Sequence, residues 1–209
     1  MPDEARTDNL IMRVFLETLE NIVGPNGLKS ILHYAHLEKY INSFPPDDDK
    51  QEIPVTDLQS LYIALYEMFG NSGAFSLQLR VGRENVHRGL QKRPSIAKAM
   101  RFATKIVPET TKMRLSLERL KEYMEKGSPN HDDGHLVEIQ EQEDCFLLVQ
   151  RENIMRDKIT SDKPVCGITV GIVEALIEWI TGHPHEVTEI QCMAMGHPAD
   201  VFRIAKTSS

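Results

Sequence analysis

The residues best suited to chemistry lie near the C-terminal end: Cys166, Glu189, Cys192 and Asp200. Thiolate sulfur and carboxylate oxygen both bind zinc, and four such ligands close a tetrahedron with no position left for water or substrate. Glu189 precedes Cys192 by three residues, and Asp200 follows it by eight. Free cysteine also occurs as a small buried hydrophobe, and there is no C-x-x-C pair, so spacing alone leaves a metal centre and inert core cysteines both standing.

A centre built from these residues needs three elements to bring it together. The pattern predicts a helix over 165–181, with Cys166 at its start, where unpaired N–H groups and the helix dipole favour a thiolate. It predicts strands over 185–192 and 200–205, with Glu189 and Cys192 at the end of the first and Asp200 opening the second. Upstream, alternation over 134–140 and an apolar run over 144–150 read as two more strands. The N-terminal part reads differently. Apolar residues recur at helical spacing over 8–23, from Leu10 to Val23, until Gly24-Pro-Asn-Gly27 breaks the run. Helices follow over 28–38, from a cap at Thr56 and Asp57 to Phe69, and over 74–81, 95–106 and 108–126, with a mobile loop at 45–54. Helices first and an antiparallel sheet later give an α+β fold in one domain, 1–209, mainly helical over 1–126 and sheet plus helix over 127–209. Gly167 and Gly171, four apart, are expected to let the late helix approach a neighbouring sheet closely.

From Cys166 to Phe202 the chain resembles the vinyl-4-reductase-type, hydrocarbon-binding domain. Cys166, Gly171, Gly182, Glu189, Cys192, Ala194, Gly196, Pro198 and Phe202 fit its pattern. That domain is also the sensory part of phenol-responsive transcription activators, and its fold is shared with subunits of the TRAPP tethering complex. In the phenol sensors a Cys, Glu, Cys, Cys quartet holds zinc. The resemblance therefore implies zinc at Cys166, Glu189, Cys192 and Asp200, with Asp200 standing where the family has its last cysteine. A carboxylate is a harder ligand than a thiolate, so the substitution bears on affinity.

The resemblance further implies a pocket for a small apolar or aromatic molecule between sheet and helices, near the zinc. By position, Phe146, Leu148, Val170, Leu176 and Val187 are expected to line it. It also implies a homodimer formed through the N-terminal helices. The main functional expectation is a ligand-binding sensor or carrier. The alternatives are an accessory protein of bacteriochlorophyll 4-vinyl reduction or tetrapyrrole binding, and a dimeric assembly scaffold. No nucleophile constellation and no flavin or nicotinamide motif appears, so no catalytic residue is assigned.

Composition narrows the classes. A net charge of −7 argues against nucleic-acid binding, which needs a basic footprint. No apolar run is long enough to span a membrane, and the charged N-terminus has no signal-peptide core. Three cysteines suit a reducing compartment, and the expectation is cytoplasmic. The remaining clusters read as solvated: His131-Asp-Asp-Gly-His135 as a turn, His33 and His36 as a helix surface, and Arg80, Arg83, Arg88, Lys92 and Arg93 as a basic helix face. His183 and His185 flank Pro184 after the late helix, and His197 is the substitute ligand if Asp200 does not serve.

Overall fold

The computed structural model describes residues 5–103, 106–126, 136–155 and 158–208; the His131–His135 turn lies outside the described residues. Asp8 is extended, and its carboxylate accepts a hydrogen bond from Ile11 N at 2.8 Å. That satisfies one of the free donors at the start of helix α1 (Asn9–Tyr34). Gly24 breaks the helix with φ 76°, a left-handed conformation that Pro25 cannot share, and the second half runs on to Tyr34. Helix α2 (Val55–Lys92) kinks in the same way at Gly70, φ 66°. The pattern of two glycine-centred breaks is the one the sequence predicts, but the second arm of α2 continues well beyond residue 81 because nothing stops it before Arg93.

Two local expectations are corrected. Thr56 does not cap α2, which begins after Pro54 with no side-chain cap. Asp57 turns inward instead, where it accepts from Tyr40 OH and pairs with Lys39 Nζ at 2.6 Å. The polar segment 45–54 is fastened, not loose. Buried Asn9 donates to both Asp48 and Glu52 at 2.8 Å, Arg13 donates to Pro45 O, and Ile53–Pro54 (β2) pairs with Arg6–Thr7 (β1).

Helices α3 (Pro94–Ala103) and α4 (Glu109–Lys126) lead to a four-stranded antiparallel sheet. Its strands are β3 (Val137–Glu141), β4 (Cys145–Gln150), β5 (His185–Gln191) and β6 (Asp200–Ser208), in the order β3-β4-β6-β5. The strand that could have continued through 151–156 instead turns away after Gln150. Helix α5 (Gly167–Thr181) lies between the sheet and α2, and Gly182 ends it at φ 95°. The fold is thus α+β, with one apolar cluster around α1 and α2 and a second where α4 and α5 meet the sheet.

The glycines of α5 meet a helix, not the sheet. A Cβ on Gly171 would stand 2.1 Å from Leu79 O, one on Gly167 2.5 Å from Phe75 O, and one on Gly82 of α2 2.2 Å from Ile168 O. The two backbones touch, so no side chain can be added without separating the helices. Gly171→Ala is expected to lower stability by about 1–3 kcal/mol in denaturant titration. Gly89→Ala, also in α2 but facing open space, is expected to leave it unchanged or slightly raised.

Candidate metal centre and ligand cavity

Burial in β5 alternates, so His185, Val187 and Glu189 share the inner face. A register shift between Glu189 and Gln191 then turns the strand out of the ladder, as bulges do beside functional sites. A single 3-10 turn, Met193–Met195, follows, and Gly196 at φ 90° reverses the chain so that Asp200 enters β6 beside Cys192. Asp200 Oδ1 accepts from Met193 N at 2.6 Å and fastens that turn. Cys166 sits at the N-cap of α5, and its own N–H donates to Glu189 Oε2 at 2.9 Å, so the glutamate from β5 supplies the helix with its cap.

The consequence is convergence. One ligand atom from each of Cys166, Glu189, Cys192 and Asp200 lies within 4.8 Å of the others, and all four residues are buried. Tetrahedral zinc, with bonds near 2.3 Å to sulfur, would set the two sulfurs about 3.8 Å apart. Glu189 Oε1 is buried without a hydrogen-bond partner, an orphaned lone pair of the kind a cation satisfies. His197 is exposed on the reversing turn, so Asp200 takes the fourth place without it. Sequence reasoning missed Asn153. Its amide donates to Asp200 Oδ2 at 2.8 Å and to Cys166 Sγ at 3.4 Å, orienting two ligands at once. It lies in an irregular segment after β4, and no local signal marks it.

Four acids in so small a volume cannot all be ionised without a cation. The Cys166 thiol donates to Cys192, and this, with burial and the neighbouring carboxylates, holds Cys166 well above the usual thiol range. The same hydrogen bond draws Cys192 down to about 6. Burial, with the hydrogen bond to Cys192 second, pushes Glu189 up to about 8.

The expected wall residues fall elsewhere. Phe146, Leu148, Val170 and Val187 are buried in the apolar cluster beneath the sheet, and of the five only Leu176 borders the large cavity. The reason is the period of α5. Val170, Val173 and Ile177 face the sheet, whereas Ile168, Ile172 and Leu176, four apart, face the other way. That second face closes a cavity of about 480 Å³ among the helices, walled also by Leu10, Leu58, Val86, Leu90, Met100, Leu120 and Tyr123. Ser116 lies on the wall, fully buried, with its hydroxyl unpartnered. A smaller cavity of about 140 Å³ shares Tyr62, Ile154, Ile168 and Thr169 with the large one and reaches Asn153 and Cys166. The metal centre and the large cavity are therefore joined through the first turn of α5.

The basic face of α2 is taken up by acids. Arg83 pairs with Glu174 at 2.7 Å, Arg88 with Glu17, Lys92 with Asp47 and Arg93 with Asp49. No helix of the described residues is long and apolar enough to cross a membrane.

Comparison with known proteins agrees with this geometry. Residues 148–206 match the family model of the vinyl-4-reductase domain, so the resemblance read from Cys166 to Phe202 is borne out over that segment. No curated protein matches the chain by sequence. Among solved structures, a single-substitution variant of Tt H-NOX is 14% identical and covers 97% of this chain and 96% of its own, with a TM-score of 0.55. An H-NOX protein from S. oneidensis in the Fe(II)NO ligation state is 13% identical, covers 92% and 97%, and has a TM-score of 0.54. The phenol-responsive sensory domain of the transcription activator PoxR with phenol is 16% identical over 77% of this chain and 79% of that one, with a TM-score of 0.49. The architecture is that of the H-NOX fold.

If a cation displaces the protons that the acids share, those protons must leave with its binding. At pH 7 Cys166 and Glu189 retain theirs in the metal-free protein, so zinc is expected to release about two protons per chain. The number is expected to fall toward one as pH rises past 8, where Glu189 is already ionised. Calorimetric titration in buffers of different ionisation enthalpy measures this directly; release of no protons would show that the quartet does not take the metal.

Proposed function

We propose that this chain, whose residues 148–206 match the vinyl-4-reductase domain, is a sensor or carrier that holds a small apolar or aromatic molecule beside a structural zinc site. The observation that carries this reading is the helix-lined cavity. Its volume of about 480 Å³ falls in the range of small-molecule sites, and its wall is apolar apart from a few groups suited to fixing a ligand's orientation. The unpartnered Ser116 hydroxyl is one such group. A ligand with a single hydroxyl, carbonyl or amine on an apolar body would satisfy it.

Zinc would be held by Cys166, Glu189, Cys192 and Asp200. The orphaned Glu189 oxygen and the protons shared by the two thiols support that assignment. Four protein ligands leave the ion no open position, so its contribution is structural: it fastens the start of α5 to the β5–β6 turn. Ile168 and Thr169, in the first turn after Cys166, touch the ligand cavity, and this gives the bound molecule a route to the metal-tied end of the helix. Among the described residues neither histidine nor cysteine lines the large cavity, so iron ligation of the kind named for the H-NOX proteins finds no imidazole or thiolate there. This favours an organic ligand over a metalloporphyrin. The same reading includes a homodimer on the N-terminal helices, formed on what α1 leaves exposed, Ile22 and Tyr34, since most of its stripe is spent inside the molecule.

Elemental analysis of the purified chain is expected to find about one zinc per chain, lost in Cys192→Ser, while Asp200→Cys binds it more tightly because a thiolate is the softer ligand. A metal content unchanged by Cys192→Ser would remove zinc from this centre. For the cavity, the apolar fluorophore N-phenyl-1-naphthylamine is expected to bind the parent protein and to lose affinity at least about tenfold in Leu176→Trp, whose side chain would occupy the space. Equal binding by both proteins would place the ligand site elsewhere.

A further inference from the structure

A second group of metal-binding side chains lies at the opposite end of α5 from the first. Glu109 opens α4, and His183 and His185 flank the turn into β5; one ligand atom from each lies within 4.8 Å of the other two. We propose that these three residues form a second metal site, for a divalent cation of the zinc class, with two imidazole nitrogens and one carboxylate as ligands and one position left open.

The histidines are prepared for this in different ways. His185 has no exposed side-chain surface, and its Nδ1 lies 2.9 Å from Ala205 O on β6. A carbonyl only accepts, so Nδ1 carries the proton, and in the neutral ring Nε2 presents a lone pair. A backbone carbonyl behind the far nitrogen is the usual means of fixing a metal-binding histidine. Nε2 of His185 has no hydrogen-bond partner; Glu109 Oε1 stands 3.5 Å away without forming one. A fully buried, unpartnered nitrogen aimed at a carboxylate is costly unless something bridges the two. His183 sits on a pinned turn, where Thr181 Oγ1 donates to His183 O at 2.9 Å, and its Nε2 lies 2.9 Å from Glu109 Oε2.

The two rings are stacked, with centroids 5.0 Å apart and planes at 27°. Two imidazolium ions so placed would repel, so at most one ring carries charge and the other remains free to coordinate. Glu109 and His183 are each more than one-third exposed, so a cation can enter from solvent. Three protein ligands are the complement of an open zinc site, where the fourth place takes water or an external donor. The tie also has a mechanical consequence. Later turns of α4 carry Ser116, Leu120 and Tyr123 on the cavity wall, so a cation at Glu109 would fasten a cavity helix to the sheet.

The site stands independently of the cysteine centre, and the test reads the two apart. Long-range ¹H–¹⁵N spectra of the full chain, titrated with zinc chloride, are expected to shift the Nε2 resonances of His183 and His185 and leave those of His33, His36, His87 and His197 in place. Cobalt(II) supplies the control, because thiolate-to-cobalt charge-transfer bands report the cysteine centre alone. Glu109→Gln and His183→Ala, both at partly exposed positions, are expected to weaken binding at the histidines by at least about tenfold while those bands persist. Histidine resonances unmoved by a several-fold excess of zinc, or both variants binding as tightly as the parent, would overturn the proposal.

Discussion

Helix α5 is held against α2 at backbone contact, and the remaining features of the molecule follow from that position. Leu79 O and Ile168 O each occupy the space where a Cβ would sit on the facing glycine. A helix so fixed presents three surfaces with different work. One face packs on the sheet through Val170, Val173 and Ile177, another walls the large cavity through Ile172 and Leu176, and the N-terminal end carries Cys166 into reach of β5 and β6. Since one rigid element serves all three, a displacement sensed on the cavity face is carried to the metal-binding end without an intervening hinge.

The electrostatics of the acidic quartet explain why its neighbourhood is built as it is. Burying a carboxylate without compensation is expensive, and burying several acids together more so. Part of that cost is offset by donors already in place: Cys166 N to Glu189, Met193 N and Asn153 to Asp200, and one thiol to the other. The compensation is incomplete, as the orphaned Glu189 oxygen and the raised Glu189 acidity constant both show. A divalent cation is the one common species that supplies the missing charge to all four ligands at once. Asp200 in the fourth place keeps that charge balance while exchanging a soft donor for a hard one.

Much of the architecture could be read along the chain because the signals are local. The glycine breaks at Gly24 and Gly70, the alternation in β3 and β5, and the stop at Gly182 each depend on the conformational preference of one residue or on a period of two or four. The expectations that failed concern what lies across a gap. Thr56 and Asp57 look like a cap, but Asp57 finds Tyr40 and Lys39, which are distant in sequence. Residues 45–54 look mobile until Asn9 is seen to hold them. The glycine pair in α5 signals close approach correctly, yet the partner is a helix, because glycine spacing carries no information about what approaches.

Residue types and spacing by themselves determined the α+β class, the order of elements, and a set of four side chains with the chemistry to share a cation. Ligand type is written in single letters, and a strand-turn-strand can be recognised from its punctuation. Only the tertiary structure decided that the four converge, that Asn153 orients two of them, that the cavity lies among the helices and not beneath the sheet, and that Glu109 meets His183, 74 positions further along the chain, and His185 beside it. The physical reason is that proximity between distant segments is set by how whole faces pack, and a face has no signature in any one residue that contributes to it.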